Sequence, residues 1–450
     1  MIDPIADMMA NQTVHQVGQL SETAFLVSSI VKVLVIFVAV LVTVAMLTLL
    51  ERKVSAWMQD RLGPNRVGPG GLLQPAADGL KNILKEETSP AQANAAFFRL
   101  APMLSITPAM VTFAVIPLAA PLPNPFGPGV IPMVIADVPV GILFLLAFSS
   151  LGVYGIVLAG WASSNKYALL GGLRAAAQMI SYEVALGLSL LSVFFVVGNV
   201  SLPEVVWAQQ RMHLWFALPL AVSFLFFWIS SFAETNRLPF DLPEAESELV
   251  TGYHTEYSSM KFSMFFIAEY SHVLTVSMLM ATLFLGGWDI PIWQGDNMLA
   301  LANGTVIGAE PAVWKTILTL LFFGAKTFFF IIVFMLVRWT VPRFRYDQVM
   351  DLGWKFLLPA SLVVVLVTSG TILALDSAGV QYGLVYGLVL SAVNLVMLGI
   401  VLWILDRGNT IGGGDARQQK RAHARVVAEF RQQEWGTHRP QDLTTPVRRV

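Results

Sequence analysis

The sequence predicts an all-α polytopic transmembrane helix bundle of about nine spans. Three observations carry that prediction. Of 450 residues, 56% are hydrophobic and only 13% charged, against about 45–50% apolar and about 25% charged in an ordinary soluble domain. Uncharged apolar runs such as Val138 to Asn165 and Ser377 to Leu405 exceed the roughly 20 residues that cross a hydrocarbon core of about 30 Å. All but four of the 28 Lys and Arg fall in alternate connections or in the span ends that adjoin them, as the positive-inside rule requires. A transmembrane β-barrel would alternate apolar and polar residues instead of running continuously.

The elements follow in chain order. Residues 1–25 carry Asp3, Asp7 and Glu22 and no Lys or Arg, the wrong charge pattern for a signal peptide; they are expected as mature chain on the outer side. Spans are expected at 26–50, 100–119, 134–160, 170–198, 213–233, 261–286, 313–341, 354–375 and 383–405. The basic connections are 51–99, 161–169, 234–260, 342–353 and the tail 406–450, which places them in the cytoplasm and the N-terminus outside. The four exceptions are Lys32, Arg211, Lys315 and Lys326.

Loop 51–99 opens with Glu51-Arg52-Lys53 and turns through Gly63-Pro64-Asn65-Arg66 and Gly68-Pro69-Gly70-Gly71. Gly and Pro at that density fix turns. After Pro75, the apolar Ala76, Leu80, Ile83 and Leu84 recur at helical spacing with Asp78, Lys81 and Lys85 on other faces, which predicts a cytoplasmic amphipathic helix in the interface. The turn Pro342 to Asp347 reads as a rigid basic anchor for headgroups or for a partner. The tail 406–450 is polar and basic, with Gly412 to Gly414 as a hinge and a candidate surface helix at about 416–434.

Several chemistries are excluded. The chain has no cysteine, so it holds no disulfide, thiolate or Cys-ligated iron–sulfur cluster, and any redox centre belongs to a partner. The histidines at 15, 213, 254, 272, 423 and 438 lack metal-ligand spacing, so no metal site is expected, and His272 reads as a hydrogen-bonded helix contact. No Gly-x-Gly-x-x-Gly opens a βαβ unit.

What stands out is charge where lipid should be. Glu234, Asp241, Glu244, Glu246, Glu248, Glu256 and Glu269 crowd one loop and the start of the next span. Glu183, Glu269 and Lys326 fall inside spans, where an ionised side chain costs about 2.5–3.5 kcal/mol or more unless paired or hydrated. An acid partner is expected for Lys326, its identity open. Carboxylates sharing a low-dielectric site cannot all be ionised and titrate as a coupled set, which is what a proton relay needs.

The motifs Glu51-Arg52-Lys53, Gln59-x-Arg61-x-Gly63-Pro64-Asn65, Leu73-Gln74-Pro75, Ser181-Tyr182-Glu183, Glu234 to Glu248, Gly252-Tyr253-His254-Thr255-Glu256-Tyr257 and Pro342-Arg343-Phe344-Arg345-Tyr346-Asp347 closely resemble the NuoH family. This family is a membrane subunit of NADH:quinone oxidoreductase, respiratory complex I, and is called subunit 1 in mitochondria. The resemblance covers about residues 26–376, so residues 377–405 would be an additional C-terminal helix beyond a family core of eight. It implies quinone as substrate, a quinone tunnel lined or supported by Arg52, Arg61, Arg237 and Asp241, and a proton relay of Glu183, Glu234, Glu246, Glu256 and Glu269. Lys326 is placed with that relay, and Glu244 and Glu248 are accessories. FMN and iron–sulfur clusters would sit on partner subunits, among them the peripheral subunit with the terminal cluster, the adjacent quinone-site subunit and small membrane-arm subunits. The other partner is the lipid bilayer of a bacterial plasma membrane, and nucleic acid is not one. Some relatives place an acid in span 3, where this chain has none between Asp137 and Glu183.

Two other readings compete. One is a membrane anchor of a related hydrogenase or ferredoxin-linked dehydrogenase, but the near-complete loop motif Glu234 to Glu248 favours complex I over those more divergent anchors. A secondary transporter would use the buried carboxylates, but no inverted repeat is visible.

Overall fold

A computed structural model describes residues 14–16, 20–125, 127–291, 293–300 and 305–406. The basic tail beyond 406, with the helix expected at about 416–434, lies outside the described residues, as do 1–13 and 17–19 of the N-terminal segment. The chain divides into two compact units, Met1–Leu398 and Gly399–Val450; of the second, only the last turns of the final helix are described.

The architecture is all-α, as expected. The helices are α1 Glu22–Met58, α2 Gln74–Leu84, α3 Ala95–Val111, α4 Gly141–Ala162, α5 Lys166–Val197, α6 Leu202–Met212 and α7 Ala221–Glu234. They continue as α8 Glu246–Leu249, α9 Ser259–Phe284, α10 Val313–Thr340, α11 Tyr346–Asp351, α12 Leu358–Ser377 and α13 Leu384–Asp406. Among the described residues, short strands form only a small antiparallel sheet from Val14–Gln16, Met298–Ala300 and Thr305–Gly308 and one pair, Leu122–Pro123 with Val130–Ile131.

Eight helices are long and apolar enough to cross a membrane among the described residues, α11 and α12 counting as one through a π-helical turn at Leu352–Leu357. The fifth expected span, 213–233, falls short of that length: it is helical only over the 14 residues of α7, about 21 Å at 1.5 Å per residue. Pro219 accounts for the late start, because a proline disfavours helical geometry in the residue before it. The stretch ahead of α7 still packs inward, with Phe216 and Leu220 buried and Ala217 N donating to Phe284 O at 2.8 Å. The amphipathic helix expected after Pro75 is α2, with Leu80, Ile83 and Leu84 exposed on its apolar side.

Local signals set the long helices. Ser21 Oγ caps α1 by accepting from Ala24 N; Asn165 caps α5 by accepting from Tyr167 N, and Gly198, left-handed, closes it. These caps satisfy backbone groups that a helix end leaves open. Phe98, Ala101, Ile156, Met179, Tyr257 and Phe265 form a core where α3, α4, α5 and α9 meet, with Phe98 stacked on Tyr257 at 4.0 Å. The outer faces stay apolar and exposed, as on α1 at Phe25, Leu26, Ile30 and Leu34, which is the surface a bilayer covers.

Candidate functional site

The segment between α7 and α9 is folded back into the bundle, which brings its charges to the helices. Gln178 of α5 holds both of its arms, donating from Nε2 to Ala233 O and to Phe240 O at 2.7 Å each. Further along, the loop lies directly on α5. A Cβ on Gly171 would stand 2.8 Å from Tyr253 N, and one on Gly252, whose φ is +66°, only 1.7 Å from Pro243 O. Only glycine fits such a contact.

Arg237 is carried inward by this fold and is 6% exposed. Its Nε lies 2.8 Å from Glu269 Oε1 on α9, and its Nη1 lies 3.6 Å from Glu51 Oε2 at the end of α1. Its guanidinium sits 4.3 Å above the Tyr270 ring. Tyr270 donates its hydroxyl to Glu51 Oε2 at 2.7 Å, and Arg338 of α10 pairs with Glu51 Oε1. Burial opposes the Arg237 charge, but Glu269, Tyr270 and Glu51 outweigh it and hold the guanidinium protonated. Nη2 of Arg237 and Oδ1 of Asp241 are buried without a protein partner, so each presents polar capacity to a ligand. Asp241 Oδ2 accepts from Arg343 at 2.8 Å; burial raises its carboxyl and Arg343 pulls it back.

Beside this cluster stand Glu244 and His254, Oε1 to Nδ1 3.7 Å. Burial, with Glu269 and Asp241 nearby, drives Glu244 well above the usual carboxylate range, and burial pushes His254 down to about 4. His254 is therefore neutral, and the contact is not an ion pair.

From Glu269 the carboxylates continue inward. Glu269 of α9 and Glu234 of α7 line one small cavity together with Ser105, Gly152, Tyr253 and His272. On α4, Ser149 reaches the Glu234 carboxyl, and the adjacent Ser150 donates to Glu183 Oε1 of α5. Glu51, Arg237, Glu269, Glu234 and Glu183 thus form one file through the helices.

Other expected site residues stand elsewhere. Glu256 accepts from Asn165 Nδ2 at 2.7 Å. Glu248 pairs with Arg174 at 2.6 Å in the open, and Arg52 pairs with Asp78 of α2 at 2.7 Å. Arg61 is exposed and donates to Gln59 Oε1 at 2.6 Å. The Glu246 side chain lies outside the described residues. Lys326 makes no direct salt bridge among the described residues; the acids that attract it, Asp289 and Asp296, do so through space. Its Nζ donates to the carbonyls of Leu285, Gly287 and Asp289 at 2.6, 2.9 and 2.6 Å, closing the C-terminal end of α9. It sits twelve residues before Arg338 on α10, about 18 Å along the axis, and is not a member of the file. Tyr270, Arg338, Ser149 and Ser150 belong to the site without having been singled out, and Glu51 and Arg343 belong to it although they were named only within motifs. The signal for Glu51 was a charge at the very end of an apolar run, read as the start of a loop. No group of residues able to hold a metal occurs among the described residues.

Comparison with known proteins bears on this geometry. The sequence model of the NADH dehydrogenase family matches residues 31–369. The chain is 48% identical over 353 residues to NADH-ubiquinone oxidoreductase chain 1 of Chondrus crispus, covering 78% of this chain and 99% of that protein. It is 49% identical over 347 residues to the H subunit of the NADH-quinone oxidoreductase of Rhodospirillum centenum, covering 77% and 94%. The chain belongs to this family. The resemblance read from the motifs is borne out, and with it the assignment to a membrane subunit of an NADH:quinone oxidoreductase. Membership makes other subunits of that enzyme its partners. The family match ends at residue 369, so α13 and the tail lie beyond it.

Proposed function

We propose that the chain forms the quinone-access tunnel and the carboxylate relay of a proton-pumping NADH:quinone oxidoreductase. The supporting observation is the file from Glu51 and Arg237 through Glu269 and Glu234 to Glu183, which begins beside the loop 234–260 and runs into the helices. Quinone taking up two electrons needs two protons. Arg237 Nη2 and Asp241 Oδ1, buried and unpartnered, are suited to its polar head, and Arg52 and Arg61 flank the way in past α2. Negative charge arriving near Arg237 alters its pull on Glu269, and coupled carboxylates respond as a set. In this reading Glu246 joins the relay from the loop, Glu244 and Glu248 assist it, and Glu256 fixes the loop to Asn165. Lys326 holds the far end of α9 in register instead of carrying protons. FMN and iron–sulfur clusters reside on the peripheral partner subunits, which dock on the basic loops. The membrane is a bacterial plasma membrane, with the N-terminus outside and the tail cytoplasmic.

Mild-detergent purification followed by mass spectrometry and an inhibitor-sensitive NADH:quinone assay tests this. A many-subunit assembly with rotenone- or piericidin-sensitive activity supports it. Co-purifying hydrogenase subunits, or a lone homo-oligomer without redox partners, refutes it.

A further inference from the structure

Two carboxyls and an imidazole share the small cavity inside the bundle. Glu269 and His272 leave α9 three residues apart, so they lie on one helix face, and Glu234 closes the cavity from α7. Gly152 of α4 stands against the imidazole edge, where a Cβ would lie 3.5 Å from His272 Nε2. Tyr253, Ser105, Thr235 and Asn236 complete the polar lining. The cavity offers about 20 Å³ to the centre of a water molecule, just above what one water requires. Among the described residues the imidazole has no hydrogen-bond partner, so the helix contact expected from the sequence is not made. An ionisable residue inside a membrane without a structural partner calls for a function.

We propose that His272 is a proton carrier between Glu269 and Glu234, an inference that rests on the relay reading. Imidazole accepts a proton on one ring nitrogen and gives one up from the other. In one passage the Glu269 carboxyl O–H breaks, its proton crosses one water, and a new N–H bond forms on the ring. The opposite N–H then breaks, and its proton goes to the Glu234 carboxylate. Glu269 ends ionised, Glu234 neutral and the ring neutral in its other tautomer, which exchange through water resets. The groups facing the ring are Glu269 on its own helix, Glu234 from α7, Tyr253 from the loop and Ser105 from α3, with Arg237 behind Glu269. Among the residues lining the cavity there is no fixed cation to take the ring's place.

The test uses the assembled enzyme in native membrane vesicles, comparing His272→Gln, His272→Phe and, in parallel, Glu234→Gln. Rates are normalised to assembled complex. NADH:quinone turnover, proton pumping and the solvent deuterium isotope effect are measured. The expectation is that both His272 variants assemble, lose about a hundredfold or more in coupled turnover, the low end of what a positioned proton donor supplies, and show a larger isotope effect. A packing role would not change the isotope effect. Wild-type turnover and isotope effect in His272→Gln, with Glu234→Gln depressed, overturn the His272 proposal and leave the relay standing. Loss in His272→Phe alone assigns the ring a contact role and overturns the proposal too. Wild-type rates in Glu234→Gln remove the relay itself.

Discussion

Replacing Arg237 with Met isolates the energetics of the buried cluster. Arg237 serves two carboxylates unequally. Glu51 keeps Arg338 and the Tyr270 hydroxyl when Arg237 is gone, whereas Glu269 has no other ion-pair partner among the described residues. Breaking a buried pair by deleting one member costs about 3–5 kcal/mol, because the survivor is left uncompensated. That cost therefore falls on Glu269. Removing its charge as well, in Arg237→Met/Glu269→Gln, should recover most of the loss and leave about 0.5–2 kcal/mol for the cation–π contact with Tyr270.

The assay is the half-life of quinone reductase activity on heating, since dissociation of a membrane complex is irreversible and its stability is read as a rate. About 3 kcal/mol is about a hundredfold in an equilibrium, so a half-life shortened at least tenfold is expected for the single variant. The double variant should return close to wild type in half-life while remaining defective in pumping, because a relay carboxylate is gone. Equal half-lives for the single and double variants would refute the claim that the orphaned Glu269 is the source of the damage.

Glu234→Gln and Glu246→Gln should assemble normally and lower quinone reduction and pumping together; full rates in both variants would remove the relay. Gly252→Ala should prevent accumulation of the complex, because its Cβ meets Pro243 O at 1.7 Å on a backbone with φ of +66°; normal levels on a blue native gel would contradict the close approach of Gly252 to Pro243 within the loop. His254 is held neutral, its ordinary value of 6.5 pushed down to about 4 by burial. Between those values the unfolded loop binds more protons than the folded one, so the stability of the loop is present above about 6.5 and lost as pH falls toward about 4. Hydrogen exchange of residues 250–257 should accelerate on acidification and lose that dependence in His254→Asn; an unchanged profile in the variant would assign the acid sensitivity to another group.

Much of the fold is legible because lipid tolerates few polar side chains, so spans show as uncharged runs. Hydropathy sees composition and not backbone geometry, which is why α7 is shorter than its apolar segment: Pro219 delays the helix. The site was legible in part. Arg237 and Glu269 announce themselves as charges beside apolar sequence, but their pairing does not, because Glu51, Arg237, Glu269 and Arg338 come from four separate stretches of chain. Ser149 and Ser150 read as small helix residues until the structure sets them against Glu234 and Glu183. Lys326 misled for a different reason. Its partners are the backbone carbonyls of Leu285, Gly287 and Asp289, and carbonyls are the same in every sequence.

Compensation along the file is graded, and the gradient bears on direction. At the loop end, Arg237 and Arg338 stand among Glu51, Asp241 and Glu269, so every acid there has a cation close by. Further in, among the described residues, Glu234 and Glu183 meet the hydroxyls of Ser149 and Ser150 and no cation. A hydroxyl rotates to suit either protonation state, whereas a guanidinium stays charged and favours the ionised acid. A change of charge at the loop end therefore acts on a clamped group first, and the acids that can follow it at least cost are the inner ones. In a medium of low dielectric that influence reaches further than it would in water. On the proposed relay, the fixed cations set the resting state and the serine-lined acids supply the freedom to change.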